Sequence, residues 1–414
     1  MSVVQARSRS AFGVVALCTA VAVGSPAAAA SPSQNPTCGE TITADTVLRA
    51  DLHDCPGDGL VIGADGITLD LRGHTIDGDG ISGGDDVGVR DVGHDGVTIR
   101  HGRIQEFDHA VRLTGASHNR ILRLVATRNG DTEIGRAILL DTGSDWNVIA
   151  RNDASGNGRS GVAVLDSHHN VVAHNRTARN GVAGMGVFGG RDNRVVGNVI
   201  ADNADNGIFY GAGTIGGRVA QNRITGSPSA GLVMDGAEFA TVVHNRLAHN
   251  GDNVLVFGNG NSVRGNLVVD ATGCPDGCGF GVSVEGGTGN IVAANLVLGT
   301  ARDGVRVDTF APEDLPTTGT VVVGNVVKGA GVDGISVGTE TSNPVEATRI
   351  DASRVSRSGD DGIDVRRAGS VVADNSANHN ADLGIFAVPG VIDGGGNRAH
   401  GNGNPAQCVG VACS

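Results

Sequence analysis

The stretch Val171-Val-Ala-His-Asn-Arg-Thr-Ala-Arg-Asn-Gly-Val-Ala-Gly-Met-Gly-Val-Phe188, VVAHNRTARNGVAGMGVF, is followed at once by a near copy of itself, Arg194-Val-Val-Gly-Asn198 running on to Gly207-Ile-Phe-Tyr210. Two marks recur. One is an apolar-apolar-x-Asn segment, the other a short Gly-apolar-x-apolar strand. The Asn mark falls at Asn152, Asn175, Asn198, Asn222, Asn245, Asn266, Asn295, Asn325 and Asn375. The strand mark starts at Gly161, Gly184, Gly207, Gly231, Asn253, Gly281, Gly304, Gly334, Gly362 and Gly384. Most intervals are roughly 21 to 24 residues, with longer ones where loops are inserted. A period near 23 that holds two or three strands of four or five residues, with Gly and Asn between them, is the coil of a parallel β-helix. Leucine-rich repeats have an overlapping period, but here valine holds the fixed positions and no helix-period segment lies within a coil.

Composition agrees with a solenoid. The 414 residues include 67 Gly, and aromatic residues make up only 3%, so the β-branched side chains must fill the core. The first thirty residues read differently: Arg7 and Arg9, an apolar run from Ala11 to Val23, then small residues to Ala30. This is the pattern of a secretory signal cleaved near Ala30, and the run is too short to span a bilayer. Nothing later approaches a spanning helix, so neither a membrane span nor an anchor is expected. Acidic residues outnumber basic ones 44 to 31, and two of the basic residues leave with the signal. Such a field disfavours nucleic acid as a partner, and disfavours a polyanionic glycan unless bound cations or a local Arg patch reverses it. The six remaining cysteines fall in local pairs, Cys38 with Cys55, Cys274 with Cys278 and Cys408 with Cys413, as an exported disulfide-bonded chain would have them. Zinc would need different spacing and nearby histidine.

The opening Cys38-Gly-Glu-Thr-Ile-Thr43, then Gly66-Ile-Thr-Leu-Asp-Leu-Arg-Gly-His-Thr-Ile-Asp-Gly78, and the repeated Asn and Asp-Gly-Ile segments resemble secreted right-handed parallel β-helix proteins of the pectin-lyase-like superfamily. The resemblance covers roughly residues 38–413. It implies an all-β, single-stranded right-handed parallel β-helix of about a dozen coils over 60–390. An N-terminal cap would occupy 31–59 and a C-terminal cap 391–414, each closed by a disulfide. Functions in the superfamily include lyases, hydrolases and epimerases of polysaccharides, and noncatalytic surface proteins.

Because side chains alternate along a strand, the residue between the two apolar ones in each strand mark points outward. The outward column then runs Leu139, Ala163, Gly186, Phe209, Val233, Leu255, Ser283, Arg306, Ser336, Asp364, Phe386. Its first half is an apolar face, exposed in this register unless a loop or partner covers it, and its second half is polar. The residue just before each strand gives a second column, Asp252, Phe280, Asp303, Asp333, Asp361, Leu383. Carboxylates stacked ~4.8 Å apart repel, raise one another's pKa or recruit a cation such as calcium. Asp361, Asp333, Asp364 and Arg366 are therefore the candidate catalytic groups, and Asp303, Arg306, Asp308, Glu285 and Asp360 the candidate ligand-binding ones. A divalent cation is placed at Asp303, Asp333 and Asp361. Consecutive insertions, Thr309 to Gly319 and Gly338 to Val345, are expected to wall this groove.

A competing reading is that Asp before Gly is turn chemistry, with the carboxylate accepting backbone N–H bonds. Asp108 and His109 with Arg112 form a second, weaker acid–base candidate on an early coil. The recurring Asn reads as an internal ladder satisfying the turns. The partner expected is a polysaccharide or cell-envelope glycan, with a noncatalytic surface or matrix role as the alternative; oligomeric state is not legible.

Overall fold

The computed structural model describes residues 35–414 apart from 82, 132, 134, 275–276, 310–315 and 340–343. Residues 1–34, and with them the stretch read as a secretory signal, lie outside the described residues. The described chain forms 45 strands and no helix, and all the strand pairings are parallel. From Arg176 onward each coil contributes to three sheets, whereas in earlier coils the second and third faces are joined by the long strands Thr98–Gln105 and Arg120–Thr127. On the first face one residue from each coil stacks on its equivalent, from Thr41 through Val61, Arg90, Arg112 and Leu139 to Asp364, Phe386 and Val409. The column inferred from sequence is reproduced residue for residue. The end strands Glu40–Ile42 and Cys408–Val409 lie in stretches read from the sequence as caps, and both pair within this sheet.

Inward residues of the strand mark make the core. Val305 and Val307, Ile335 and Val337, and Ile363 and Val365 are all fully buried. The glycine that opens the mark is required by space. A Cβ on Gly207 would lie 2.4 Å from the Gly231 carbonyl oxygen, and one on Gly304 would lie 2.2 Å from Val327 Cγ1 and 2.7 Å from the Gly334 carbonyl oxygen. The strand therefore begins at a corner crowded by the next coil, where Gly needs no room for a side chain; on the coil where Asn253 replaces it, the Asn side chain is buried and bonded to Asn250 and the Val269 carbonyl oxygen.

The Asn mark is a different corner. The residue before each Asn is left-handed, with φ of 60° at Arg151, 56° at His174, 56° at Gln221 and 55° at His244. That reverses the chain and points the Asn inward. Asn175 Nδ2 donates to Ile149 O at 2.8 Å and to Asn198 Oδ1 at 3.1 Å, and the next rungs are Asn198 to Asn222, Asn222 to Asn245 and Asn245 to Asn266, each at 3.0 Å. A single Ser353 interrupts the ladder before Asn375 and Asn397. Two further Asn series occupy the other corners, through Asn119, Asn147, Asn170 and Asn193, and through Asn129, Asn157, Asn180 and Asn203. The sequence reading had found only one of the three.

All three expected disulfides are present: Cys38–Cys55, Cys274–Cys278 and Cys408–Cys413. The described ends of the two insertions pair with one another, Thr317–Thr318 with Val345–Glu346, and Thr317 with Gly287. The middle of each insertion, and so the wall it was expected to form, lies outside the described residues. No described helix is long and apolar enough to cross a membrane.

Candidate active site

The second column stands where the register requires, two residues before the inward residues that pair Val282 to Val305, Val305 to Ile335 and Ile335 to Ile363. Its carboxylates do not form the charged surface expected from sequence. Asp303, Asp333, Asp361 and Asp364 are only 3%, 5%, 7% and 2% exposed. Asp303, Asp333 and Asp361 are drawn in because each reaches along the solenoid to the next coil, while Asp364 is held by Arg366 of its own coil. Asp303 Oδ1 accepts the Asp333 N–H at 3.1 Å, Asp333 Oδ1 the Asp361 N–H at 3.0 Å, and Asp361 Oδ1 the Leu383 N–H at 2.8 Å. The turn reading of these residues thus describes one oxygen of each carboxyl group.

The second oxygens separate their roles. Asp303 Oδ2 accepts the Ser336 hydroxyl at 2.6 Å, so both its oxygens are engaged. Asp333, Asp361 and Asp364 instead bring one oxygen each within 4.8 Å of the others. Three converging carboxylates, and not the Asp303, Asp333, Asp361 set expected from sequence, are therefore the group placed to hold a cation or share protons. Arg366 closes one side, its Nε donating to Asp364 Oδ2 at 2.9 Å while its guanidinium lies 5.7 Å from the centre of the Phe386 ring. Exposed Asp360 and Asp382 form a second acidic group with Asp361 at the surface.

Burial pushes Asp333 up to about 8, with the nearby charges of Asp303 and Asp364 adding to it. Asp361 is pushed up to about 6, by burial first and then by Asp360 and Asp364, against the bond from Leu383. Burial also raises Asp303 and Asp364, opposed at Asp364 by the hydrogen bond and charge of Arg366.

Toward the N-terminus the same face carries Glu285, Arg306 and Asp308, all buried. Arg306 Nη1 donates to Glu285 at 2.8 Å, its Nη2 lies 3.4 Å from Asp308, and its guanidinium stacks 4.7 Å from the Phe280 ring centre, with Arg302 also over that ring at 4.8 Å. Ser283 donates to the same Glu285 oxygen at 2.7 Å. These groups neutralise one another, so they are a buried ion-pair network flanking the carboxylate cluster. Sequence reasoning missed Arg302 and Phe280 as partners, though Phe280 stands in the aspartate column. The early candidate dissolves: Asp108 is buried and accepts the N–H groups of Gly83, Asp85 and Asp86, while Arg112 is clamped between Asp85 and Asp141.

Two family descriptions match the chain, "Periplasmic copper-binding protein (NosD)" over residues 61–262 and "Right handed beta helix region" over residues 216–349. No curated protein sequence matches. Among solved structures, the catalytic unit of a thermostable α-1,3-glucanase from Streptomyces thermodiastaticus is 15% identical with a TM-score of 0.50, over 81% of this chain and 63% of that one. The A-module of an Azotobacter vinelandii mannuronan C-5 epimerase is 16% identical, TM-score 0.46, over 83% and 89%. A mutant of the periplasmic alginate epimerase AlgG is 11% identical, TM-score 0.47, over 86% and 77%. Among the described residues no group of three or more ligands that includes a His or Cys stands ready for the copper of the first description. Copper sites draw on Cys, Met and His. Here all six described cysteines are in disulfides, and among the described residues the groupings of three or more candidate ligands are carboxylate only. Such oxygen donors suit a hard cation such as calcium.

Proposed function

The chain is a right-handed parallel β-helix of the pectin-lyase-like type, and on that premise we propose that it is an exported protein that binds a polysaccharide along its first face and cleaves it by acid–base catalysis at Asp333, Asp361 and Asp364. The observation that carries this reading is the convergence of Asp333, Asp361 and Asp364 oxygens within 4.8 Å of one another, where burial pushes Asp333 further up, to about 8, than Asp361, to about 6. Glycoside hydrolysis needs one carboxylic acid to protonate the departing oxygen and one carboxylate to activate water or stabilise the cation-like sugar. In this reading Asp333 donates the proton and Asp361 is the carboxylate. Arg366 fixes the orientation of Asp364, and Asp303 holds the Asp333 backbone and Ser336 in register. A calcium-dependent reaction is the second reading, supported by the convergence of three oxygen donors. The acidic cluster favours a neutral sugar at the point of cleavage.

The test is release of reducing ends from neutral and uronate-containing glycans by the purified protein, with and without chelator. Hydrolysis that survives chelator and falls at least about 100-fold in Asp333→Asn supports the acid role. Unsaturated products, or activity abolished by chelator, would replace it with the cation-dependent reading. Neither products nor glycan retention would leave the noncatalytic surface role.

A further inference from the structure

The same face bears a basic site that starts eight coils before Asp333, at Arg136, and ends five coils before it, at Phe209, roughly 38 to 24 Å along the solenoid. Arg136 pairs with His109 on one side and Ser160 on the other, in the column that later carries the aspartates. Arg159, Asp205, Asn206, Phe188 and Phe209 join it around a cavity of ≈ 340 Å³. The neighbouring arginines on this face are neutralised: Arg90 by Asp58, and Arg112 by Asp85 and Asp141. Arg136 is not. Its guanidinium makes no ion pair with a carboxylate among the described residues, and burial, then the like charge of Arg159, pull it below its usual range against the more distant charge of Asp141. Arg159 gives one Nη1 bond to the Glu133 carbonyl oxygen.

The other walls have complementary needs. Phe188 turns back over Gly186 and stacks on Phe209, ring centres 5.2 Å apart at 20°. Asn206 is 6% exposed, and its Oδ1 accepts no hydrogen bond while its Nδ2 donates to Asp205 at 2.8 Å. The cavity thus combines two guanidinium groups seeking an anion, an aromatic floor, and oxygen acceptors awaiting a donor. An inorganic anion would use only the first, and a neutral sugar only the last two. A sugar ring carrying a carboxylate uses all three: the carboxylate takes the arginine forks, the C–H face lies on the rings, and hydroxyls donate to Asn206 and Asp205.

We propose that this cavity is an anchoring site, separate from the aspartate cluster, for a carboxylate-bearing sugar unit of an acidic polysaccharide. It reverses locally the negative field of the whole chain, which otherwise repels such a polymer.

Isothermal titration at low ionic strength tests this with tetragalacturonate, cellotetraose, sulfate and a tetra-aspartate peptide. One tetragalacturonate is expected per chain, weakened at least roughly tenfold by Arg136→Gln or Arg159→Gln, less by Arg136→Lys, and also by Phe209→Ala. Thermal melts establish that each variant is folded. The control is Arg120→Gln with Arg151→Gln, at a basic pocket on the second face, which should leave binding unchanged. Equal binding of cellotetraose, sulfate or the peptide, loss only in the second-face variant, or no binding would each overturn the proposal. Because binding is read without turnover, failure here is distinguishable from failure of the hydrolytic role of Asp333.

Discussion

At the scale of the residue, the question posed by Ser358-Gly-Asp-Asp-Gly-Ile-Asp-Val-Arg-Arg367 is what its three carboxylates do. Asp361 accepts the Leu383 N–H and brings an oxygen into the group formed with Asp333 and Asp364, Asp364 is held by Arg366, and Asp360 stays exposed. An acid whose pKa is raised by folding binds a proton in the native state that it has lost when unfolded. Its contribution to stability is therefore fully present below the ordinary carboxyl range and is lost as pH rises to about 8 for Asp333 and about 6 for Asp361. Asp333→Asn keeps an oxygen to accept the Asp361 N–H and removes the ionisation. It should melt close to the parent at pH 4 and several degrees higher at pH 8.5; a parallel pH dependence for the two proteins would show that Asp333 is not the strained acid. If the pair catalyses, turnover should be bell-shaped, with limbs near pH 6 and pH 8. The column positions of these residues were legible, because a two-residue alternation plus a fixed repeat gives the register. Their burial was not, since it depends on the carboxyl groups folding along the solenoid axis onto the next coil.

At the scale of the element, a coil is three short strands separated by corners, and the corners carry the specificity. Asn245 accepts the N–H and Nδ2 of Asn222 and donates to Val219 O and Asn266 Oδ1, all without access to water. Asn245→Ala strands these partners and should cost about 2 to 4 kcal/mol, read as a shift of the urea unfolding midpoint; a loss below about 0.5 kcal/mol would mean the ladder is replaceable by water. Gly334→Ala forces a Cβ to 2.0 Å from Val355 Cγ1 and 2.6 Å from the Gly362 carbonyl oxygen, so it should destabilise by about 1 to 3 kcal/mol. The sequence marked both kinds of corner by their recurring residue but gave the glycine no cause. That cause is a contact between coils some 28 residues apart. The apolar outward residues Leu139, Ala163 and Val233, expected to be exposed, are 3%, 1% and 7% exposed. On the same face Phe188 turns back over Gly186, a choice of rotamer that no strand pattern encodes.

At the scale of the whole molecule, the first face is graded in charge, from the paired arginines Arg90 and Arg112, through Arg136 and Arg159 and the phenylalanine floor, to the aspartates at Asp303, Asp333 and Asp361. Both proposed glycan sites lie on that face. The ends matter to its integrity. Cys55 is fully buried in the first coil and tied to Cys38 across 17 residues, so Cys38→Ser with Cys55→Ala should cost about 3 kcal/mol and open the N-terminal coil to proteolysis first; cleavage starting elsewhere would show that another segment limits stability. Sequence alone determined the solenoid, its strand register and its outward columns, because each follows from a short repeat in which like stacks on like, and the three cysteine pairs, because their partners lie close along the chain. Tertiary structure decided which oxygen of each aspartate is used, which three carboxylates meet, and which arginines are left without an acid. Those outcomes depend on side-chain directions and burial between coils, and a one-dimensional period carries neither.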